Sequence, residues 1–236
     1  MYEQQITALL RPYHAATAAL DKLTGRIAAR LKQEPCPPPA NIAGQVLDAV
    51  RWADDAACEK YAALLAASMD PERRQIVHPA FSAIIGQLDE AEDMLLHQLQ
   101  QRRAMPTADC YLCRMRKEGN FTSRLVEAHD SAIKLIGRMT DCLPADGDYA
   151  RVQAAIDNLL RLQLIELPMR EGRMALEQIQ DDAIETLYML FEQVIAQAAA
   201  DMRTHMPAYR EGQIRLCTGR IMFTEFGKRF VQACLW

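Results

Sequence analysis

Apolar residues in this chain are spaced for α-helices over most of its length. Side chains such as Val77, Phe81, Ile84 and Leu88 recur at intervals of three, four and seven residues, which places them on one face of a helix. Such a face must be buried against other elements. The pattern therefore predicts a mainly α protein, built as a multi-helix bundle.

The C-terminal part of the sequence departs from this pattern. The run Leu164–Leu167 and the two short runs of 214–223, on either side of Thr218 and Gly219, are apolar and branched, which predicts short strands. A long amphipathic helix is expected between them at 173–202, and a last helix is expected after them. This order predicts a winged-helix-like unit with two or three short strands and the long helix inserted in its wing.

Two breaks in the sequence divide the chain. The prolines at 37–39 cannot continue a helix, so they separate an N-terminal amphipathic helix, 1–36, from a helical bundle at 37–145. A second break, at Pro144–Gly147, precedes the winged-helix-like end, 146–236. The sequence therefore predicts three parts.

Three segments of the bundle carry specific expectations. Residues 55–69 are predicted to form one helix, whereas 103–120 is polar and basic and predicts no regular structure. A helix is expected to resume at 122–139. Its inward residues would be Leu125, Ala128, Ala132, Leu135 and Ile136.

The composition limits the kind of protein. Half of the residues are hydrophobic and a quarter are charged, which is ordinary for a globular protein. We find no apolar run of membrane-spanning length and no secretory signal, so we expect no membrane span and a cytoplasmic location. The net charge of −4 argues against a surface that is basic all over, although it leaves room for local basic patches.

The seven cysteines predict reduced thiols, because their number is odd and no export signal is present. Cys110 and Cys113 form the one close pair. A tetrahedral zinc site would need a second such pair or two closely spaced histidines. A redox pair would need a strand before it and a helix after it, whereas Pro106 precedes it and a basic run follows. We therefore predict neither a metal nor a cofactor.

Several blocks closely resemble the bacterial abortive-infection alpha family. They are Pro38–Gly44, Arg51-Trp52, Tyr61–Asp70 and His78–Leu88, followed near the end by Leu159–Glu166 and Phe223–Cys234. The family-like block within the bundle covers 38–96. Gln163 stands where the family more usually has glycine. The resemblance implies a helical cytoplasmic protein of anti-phage defence, in which an infected cell sacrifices itself, and it carries no known catalytic residue.

The single residues that carry this resemblance also have simple structural roles. We expect His78 to close a turn, Pro79 to open a helix, and Phe81 and Trp52 to be buried in the core. The full set of family-motif residues is Trp52, Leu65, Met69, His78, Pro79, Phe81, Leu88, Thr224, Phe226 and Gly227.

A ribonuclease is the enzymatic alternative. Four residues separate Arg124 from His129 and Arg73 from His78, and this spacing is similar to that of a class of helical ribonucleases. An arginine can stabilise phosphate charge while a histidine moves the proton of the ribose hydroxyl. Two such spacings are little more than chance gives in a chain this rich in arginine. We assign no catalytic residue and keep Arg124 and His129 as the alternative pair.

The long helix at 173–202 is the predicted contact surface. Its apolar face is wide enough to contact two partners at once, and Leu187, Leu190, Phe191 and Val194 are the expected partner-binding residues. We therefore predict a non-enzymatic interaction or regulatory component of phage defence that binds a protein partner or itself. A winged-helix nucleic-acid binder is the second alternative, with Arg151, Arg161, Arg215 and Arg220 contacting phosphate.

Overall fold

A computed structural model describes residues 2–11, 17–114, 132–144, 147–168 and 182–235. The chain divides into two units. The first, the helical unit, contains Met1–Asp93, Leu162–Leu164 and Thr224–Trp236. The second, the sheet unit, contains Met94–Arg161 and Ile165–Phe223.

The described elements are all helical up to Arg102, and strands and helices both occur from Ala104 onward. The N-terminal elements are α1 (Glu3–Leu10), α2 (Thr17–Ala28), α3 (Ala40–Ala49), α4 (Asp55–Met69), a 3₁₀ helix (Arg74–Ile76), α5 (Ala80–Ile85) and α6 (Glu90–Arg102). They are followed by β1 (Ala104–Cys113), β2 (Ala132–Met139), α7 (Tyr149–Arg161), β3 (Ile165–Glu166), α8 (Asp182–His205), a 3₁₀ helix (Pro207–Tyr209), β4 (Gln213–Phe223) and α9 (Glu225–Cys234).

Helix α4 is the centre of the helical unit. Every residue from Lys60 to Met69 is buried, and α2, α3, α5 and α9 all contact this helix. A helix that is buried all round needs neighbours on every side. Its start is fixed by Asp54, whose carboxylate accepts the backbone N–H of Ala57 at 2.7 Å. The prediction of one helix over 55–69 is confirmed.

The sheet unit is built on an antiparallel half-barrel sheet of four strands in the described residues, in the order β2-β1-β4-β3. Strand β1 pairs with β4 over ten positions, from Ala104 opposite Met222 to Cys113 opposite Gln213. Helix α8 packs on β1 and β2. The prediction of a mainly α bundle is therefore wrong, because this sheet makes up much of the second unit.

Strand β2 corrects the helix predicted at 122–139, of which residues 122–131 lie outside the described part of the chain. Its pairing with β1 shifts between Ala108 and Cys110 and again between Cys110 and Tyr111. Each shift inserts an extra residue into β2. Met139 pairs with Ala108 and Ile136 pairs with Cys110, so two residues three positions apart in β2 face two residues that are two positions apart in β1. These bulges reproduce the spacing of a helix.

The segment 103–120 was expected to be irregular, and its first part is β1. This strand contains Ala, Pro and Asp, which have low strand propensity, and Thr107–Cys110 is buried on both faces of the strand.

The winged-helix-like unit is also not formed. Residues 213–223 are one continuous strand, and Thr218 and Gly219, expected at a turn, pair with Ala108 and Thr107 of β1. The short strand β3 does pair with the end of β4, through Ile165 opposite Phe223. The main partner of β4 is nevertheless β1, a strand more distant in the sequence, so this end of the chain is an integral part of a larger sheet.

Candidate functional site

Helix α8 has a buried face and an exposed patch. The buried face packs with Ala108, Cys110, Met139 and Leu216 of the sheet, and consists of Ile184, Leu187, Phe191, Ile195 and Ala199. Leu190 and Val194 lie one helical turn apart and are 50% and 56% exposed. These two residues are the exposed patch of α8.

The structure thus separates the four predicted partner-binding residues. Leu187 and Phe191 are buried within the sheet unit, and the ring of Phe191 packs edge-on against Tyr149 with 4.7 Å between centroids. Leu190 and Val194 remain accessible to another molecule. Met189 is 69% exposed, but it is turned by about 100° from Leu190 around the helix axis.

The charges of α8 are concentrated at its ends. Glu192 is the one charged residue between Thr186 and Ala200. Acidic residues, Asp182 and Glu185, lie in the first turn, and Arg203 and His205 lie in the last turn. The Arg203 guanidinium donates to the carbonyl of Gly212 at 2.8 Å. The middle of the helix therefore has little charge to keep the exposed patch hydrated.

A polar cluster lies on the strands, at the first bulge of β2. The buried Asp109 carboxylate accepts the N–H of Arg138 at 2.7 Å and the ammonium of Lys134 at 2.6 Å. The Tyr111 hydroxyl is 3.3 Å from the same carboxylate. Arg138 has a φ of 56°, in the left-handed region, so the Asp109 contact holds a backbone conformation that a non-glycine residue rarely adopts.

Helix α7 secures the other side of this bulge. The Tyr149 hydroxyl donates to the carbonyl of Arg138, and the Gln153 amide donates to the carbonyl of Gly137 at 2.5 Å. Arg138 also forms an ion pair with Asp157 of α7. Burial raises the pKa of Tyr149, so its hydroxyl stays protonated as a donor.

The cluster is built to hold the bulge in place. Partial burial opposes the charge of Lys134, but the hydrogen bond and the charge of Asp109 outweigh it, and the pKa of Lys134 is raised. For Tyr111 the main cause is burial, which raises the pKa of its hydroxyl. A protonated lysine, and a carboxylate whose oxygens already accept hydrogen bonds, offer neither a nucleophile nor a free base.

The sequence analysis missed Asp109, Tyr111 and Lys134. The available signal was the alternation within β1, in which Ala108, Cys110 and Leu112 are apolar and the residues between them are more polar. The alternation covers only five residues, 108–112, and Pro106 lies just before it, so it does not predict a strand by itself.

Cys110 and Cys113 point to opposite faces of β1, because they are three positions apart along the strand and side chains alternate between the faces. Their Cα atoms are about 10 Å apart, which is too far for a disulfide. Burial raises the pKa of Cys110 to about 12 and also raises that of Cys113. The pair therefore lacks both the geometry and the acidity of a redox centre.

Family-motif residues form an aromatic cluster in the helical unit. The ring centroids of Phe81 and Phe226 are 5.2 Å apart, and those of Phe81 and Phe230 are 5.3 Å apart. Phe81 is buried, as predicted. The exposed His78 packs on Phe226, and its Nδ1 accepts the N–H of Ala80 at the start of α5. Pro79 is the residue before that helix.

Two further motif residues fix the start of α9. The Thr224 hydroxyl accepts the N–H of Gly227 at 2.9 Å and donates to the carbonyl of Gln163 at 2.6 Å. Gln163 has a φ of 58°, which explains why glycine suits this position. The motif therefore joins the turn at Gln163 to the first turn of α9.

Trp52 does not have its predicted place in the core. It is 90% exposed in the turn between α3 and α4, so that prediction is wrong. Leu65 and Met69 are buried in α4, and Leu88 is half-buried after α5.

The four arginines of the nucleic-acid alternative do not form one surface. Arg151 and Arg161 lie ten residues apart on α7, which is about 15 Å along the helix. Arg215 and Arg220 lie on opposite faces of β4. Arg124 and His129, the alternative ribonuclease pair, lie outside the described residues.

Two negative observations apply to the described part of the chain alone. It contains no group of three or more histidine, cysteine or acidic side chains placed to hold a metal ion. None of its helices combines the length and the apolar character that crossing a bilayer requires.

Fold and surface together define a two-unit α+β protein whose long helix carries an exposed apolar patch. A family model described as abortive infection alpha matches residues 15–234, and the chain belongs to this family. No match was found among curated proteins or among solved structures. The family indicates a role in abortive infection, a form of anti-phage defence.

Proposed function

We propose that this protein is a non-enzymatic interaction component of bacterial anti-phage defence, acting in the cytoplasm through contact between two copies of helix α8. The observation that carries the proposal is the exposure of Leu190 and Val194 on a helix whose other face is buried in the core. Fully burying such a side chain contributes about 1.5–3 kcal/mol. The patch therefore favours a partner that removes it from water.

The chemistry of α8 supports a second copy as that partner. An antiparallel pair of α8 helices brings the patch of each copy against the other, with small alanines nearby that permit close approach. The acidic first turn of one helix then lies near the basic last turn of the other. Hydrophobic burial at the centre and opposite charges at the ends both favour this arrangement.

The patch also limits the strength of the contact. Stable interfaces bury about 800 Å² on each partner, more than two side chains supply. We therefore expect a weak dimer that forms as the concentration rises. Such a dimer is a suitable switch, because a modest change in local concentration changes the fraction that is paired.

Sedimentation velocity over a concentration series tests the pairing. The double variant Leu190→Glu/Val194→Glu places charge in the patch and should remain monomeric where the wild-type protein dimerises. Met189→Glu is the control, because it adds one carboxylate, half the charge of the double variant, to an exposed apolar position of the same helix outside the patch. A wild-type protein that is monomeric at every concentration, or two variants with equal effects, would contradict the proposal.

Phage challenge of bacteria that express each variant tests the function. A culture that expresses the double variant should no longer be protected against phage, whereas a culture that expresses Met189→Glu should still be protected. His129→Ala tests the non-enzymatic part of the proposal and should leave protection unchanged. RNA cleavage by the purified protein that disappears in His129→Ala would establish the ribonuclease alternative instead.

A further inference from the structure

Three side chains form a row across the sheet. Tyr111 of β1 is the Cα partner of Lys134 in β2 and of Arg215 in β4. Directly opposed residues of antiparallel strands project from the same face. Lys134 confirms this, since its Nζ lies 5.4 Å from the centroid of the Tyr111 ring. We name Lys134, Tyr111 and Arg215 the basic row.

The basic row lies on the face of the sheet opposite α8. Helix α8 packs against Ala108, Cys110 and Leu216, which alternate along their strands with the residues around the row. The Lys134 side chain is 49% exposed, and Tyr111 and Arg215 are half-buried. The positive charge of Arg215 also acts on the Cys113 thiol, as expected for two side chains on this face. The ring and both cations are thus accessible from one side.

The row combines two cations with one aromatic ring. Lys134 also forms an ion pair with the buried Asp109. Neighbouring strands are about 4.8 Å apart, so the backbones of Lys134 and Arg215 lie about 10 Å apart on either side of Tyr111.

We propose that the basic row binds single-stranded nucleic acid, with Lys134 and Arg215 contacting backbone phosphates and the Tyr111 ring stacking on an unpaired base. Cations that flank an aromatic ring on an accessible sheet face match this ligand, because every base offers a flat surface and every nucleotide a negative charge. A duplex hides its base faces and fits less well. The inference goes beyond the proposed function and is independent of it, since α8 occupies the other face.

Fluorescence anisotropy with labelled oligo(U) and oligo(dT) over a salt series tests this site. Two phosphate contacts predict that log K falls with log salt at a slope of about −1.4. Arg215→Gln should weaken binding and reduce that slope by about 0.7. Arg220→Gln is the matched control, because it removes the same charge from the opposite face of the same strand, and it should change neither quantity.

Two variants of Tyr111 separate the contribution of stacking to binding from that of charge. Tyr111→Leu should weaken binding about tenfold or more, whereas Tyr111→Phe should retain it, because phenylalanine keeps the flat ring. Near-UV circular dichroism checks the fold of each variant, and Arg215→Gln tests the site without changing the ring. Binding of either oligonucleotide alone supports the site and identifies its natural ligand as RNA or DNA.

Four results would overturn the inference. They are no binding of either oligonucleotide at low salt, equal binding of a hairpin duplex, equal effects of Arg215→Gln and Arg220→Gln, and undiminished binding by a folded Tyr111→Leu variant.

Discussion

The carbonyl oxygen of Leu164 occupies the place where a side chain on Gly227 would begin. A Cβ added to Gly227 would lie 1.8 Å from that oxygen and 2.7 Å from the carbonyl carbon. The same carbonyl accepts the N–H of Thr224 at 3.1 Å. The turn before β3 and the first turn of α9 can approach this closely because residue 227 has no side chain.

Gly227→Ala should therefore destabilise the protein by about 3 kcal/mol or more, because two segments of backbone must move apart. Gly44→Ala is the control. A Cβ at Gly44, within α3, meets nothing within 4 Å, so this substitution should stabilise its helix by up to about 1 kcal/mol. Urea unfolding measures both. A Gly227→Ala variant as stable as the wild type would contradict the close contact.

Gln163→Gly should stabilise the protein. Gln163 has a φ of 58°, a conformation that costs a residue with a Cβ about 1–2 kcal/mol. Glycine removes this cost but loses about 0.5–1 kcal/mol to its greater freedom in the unfolded chain, so the net gain should be about 0–1.5 kcal/mol. Gln163→Asn should fall between the two, because asparagine tolerates this region. Denaturant midpoints give the order, and a Gly variant less stable than wild type would contradict it.

Cys110 should make the protein less stable in alkali. Burial raises the pKa of its thiol from 9.0 to about 12. Above about pH 9 the unfolded chain loses this proton while the folded protein keeps it, so the free energy of unfolding falls until about pH 12. This one thiol changes the folding equilibrium constant about tenfold per pH unit in that range.

Cys110→Ala removes this contribution. Under reducing conditions the free energy of unfolding of this variant should fall less steeply with pH, because its unfolding releases one proton fewer than that of the wild type. The difference between the two proteins isolates Cys110, because every other buried thiol and tyrosine is present in both. Parallel curves for the two proteins would contradict the prediction.

Thr140→Val should leave stability unchanged or raise it by about 1 kcal/mol. In the described residues, the hydroxyl groups of Thr140 and Thr107 are buried and have no hydrogen-bond partner. Replacing an unsatisfied buried hydroxyl by a methyl group removes a desolvation cost at the same volume. Thr224→Val is the matched control and should cost about 0.5–2 kcal/mol, because that hydroxyl caps α9. Thermal or urea unfolding measures both, and a loss at Thr140 as large as that at Thr224 would show that its hydroxyl has a partner.

Local signals were sufficient for the helices that begin with a capping residue. Apolar periodicity predicted the helix at 55–69 and a last helix after the strands, and the structure shows that Asp54 and Thr224 cap these two helices. The family could also be identified from such blocks, and the family match extends over residues 15–234, beyond the blocks themselves.

The candidate sites could be predicted only in part. The apolar character of Leu190 and Val194 is a property of the sequence, whereas their separation from Leu187 and Phe191 depends on where the sheet contacts α8. The basic row could not be found, since the strands of Tyr111 and Lys134 were not predicted and the three residues meet only through strand pairing.

The sequence by itself determined the helices of the first unit and their caps, because apolar period and capping act between residues a few positions apart. Tertiary structure alone decided the sheet. Strands β1 and β4 are joined by hydrogen bonds between residues about a hundred positions apart, and the bulges of β2 give Ile136 and Met139 a helical spacing within a strand. The local pattern of each segment indicates at most a short strand and does not identify the strand it pairs with, so the arrangement of this half of the fold becomes visible only when the strands lie side by side.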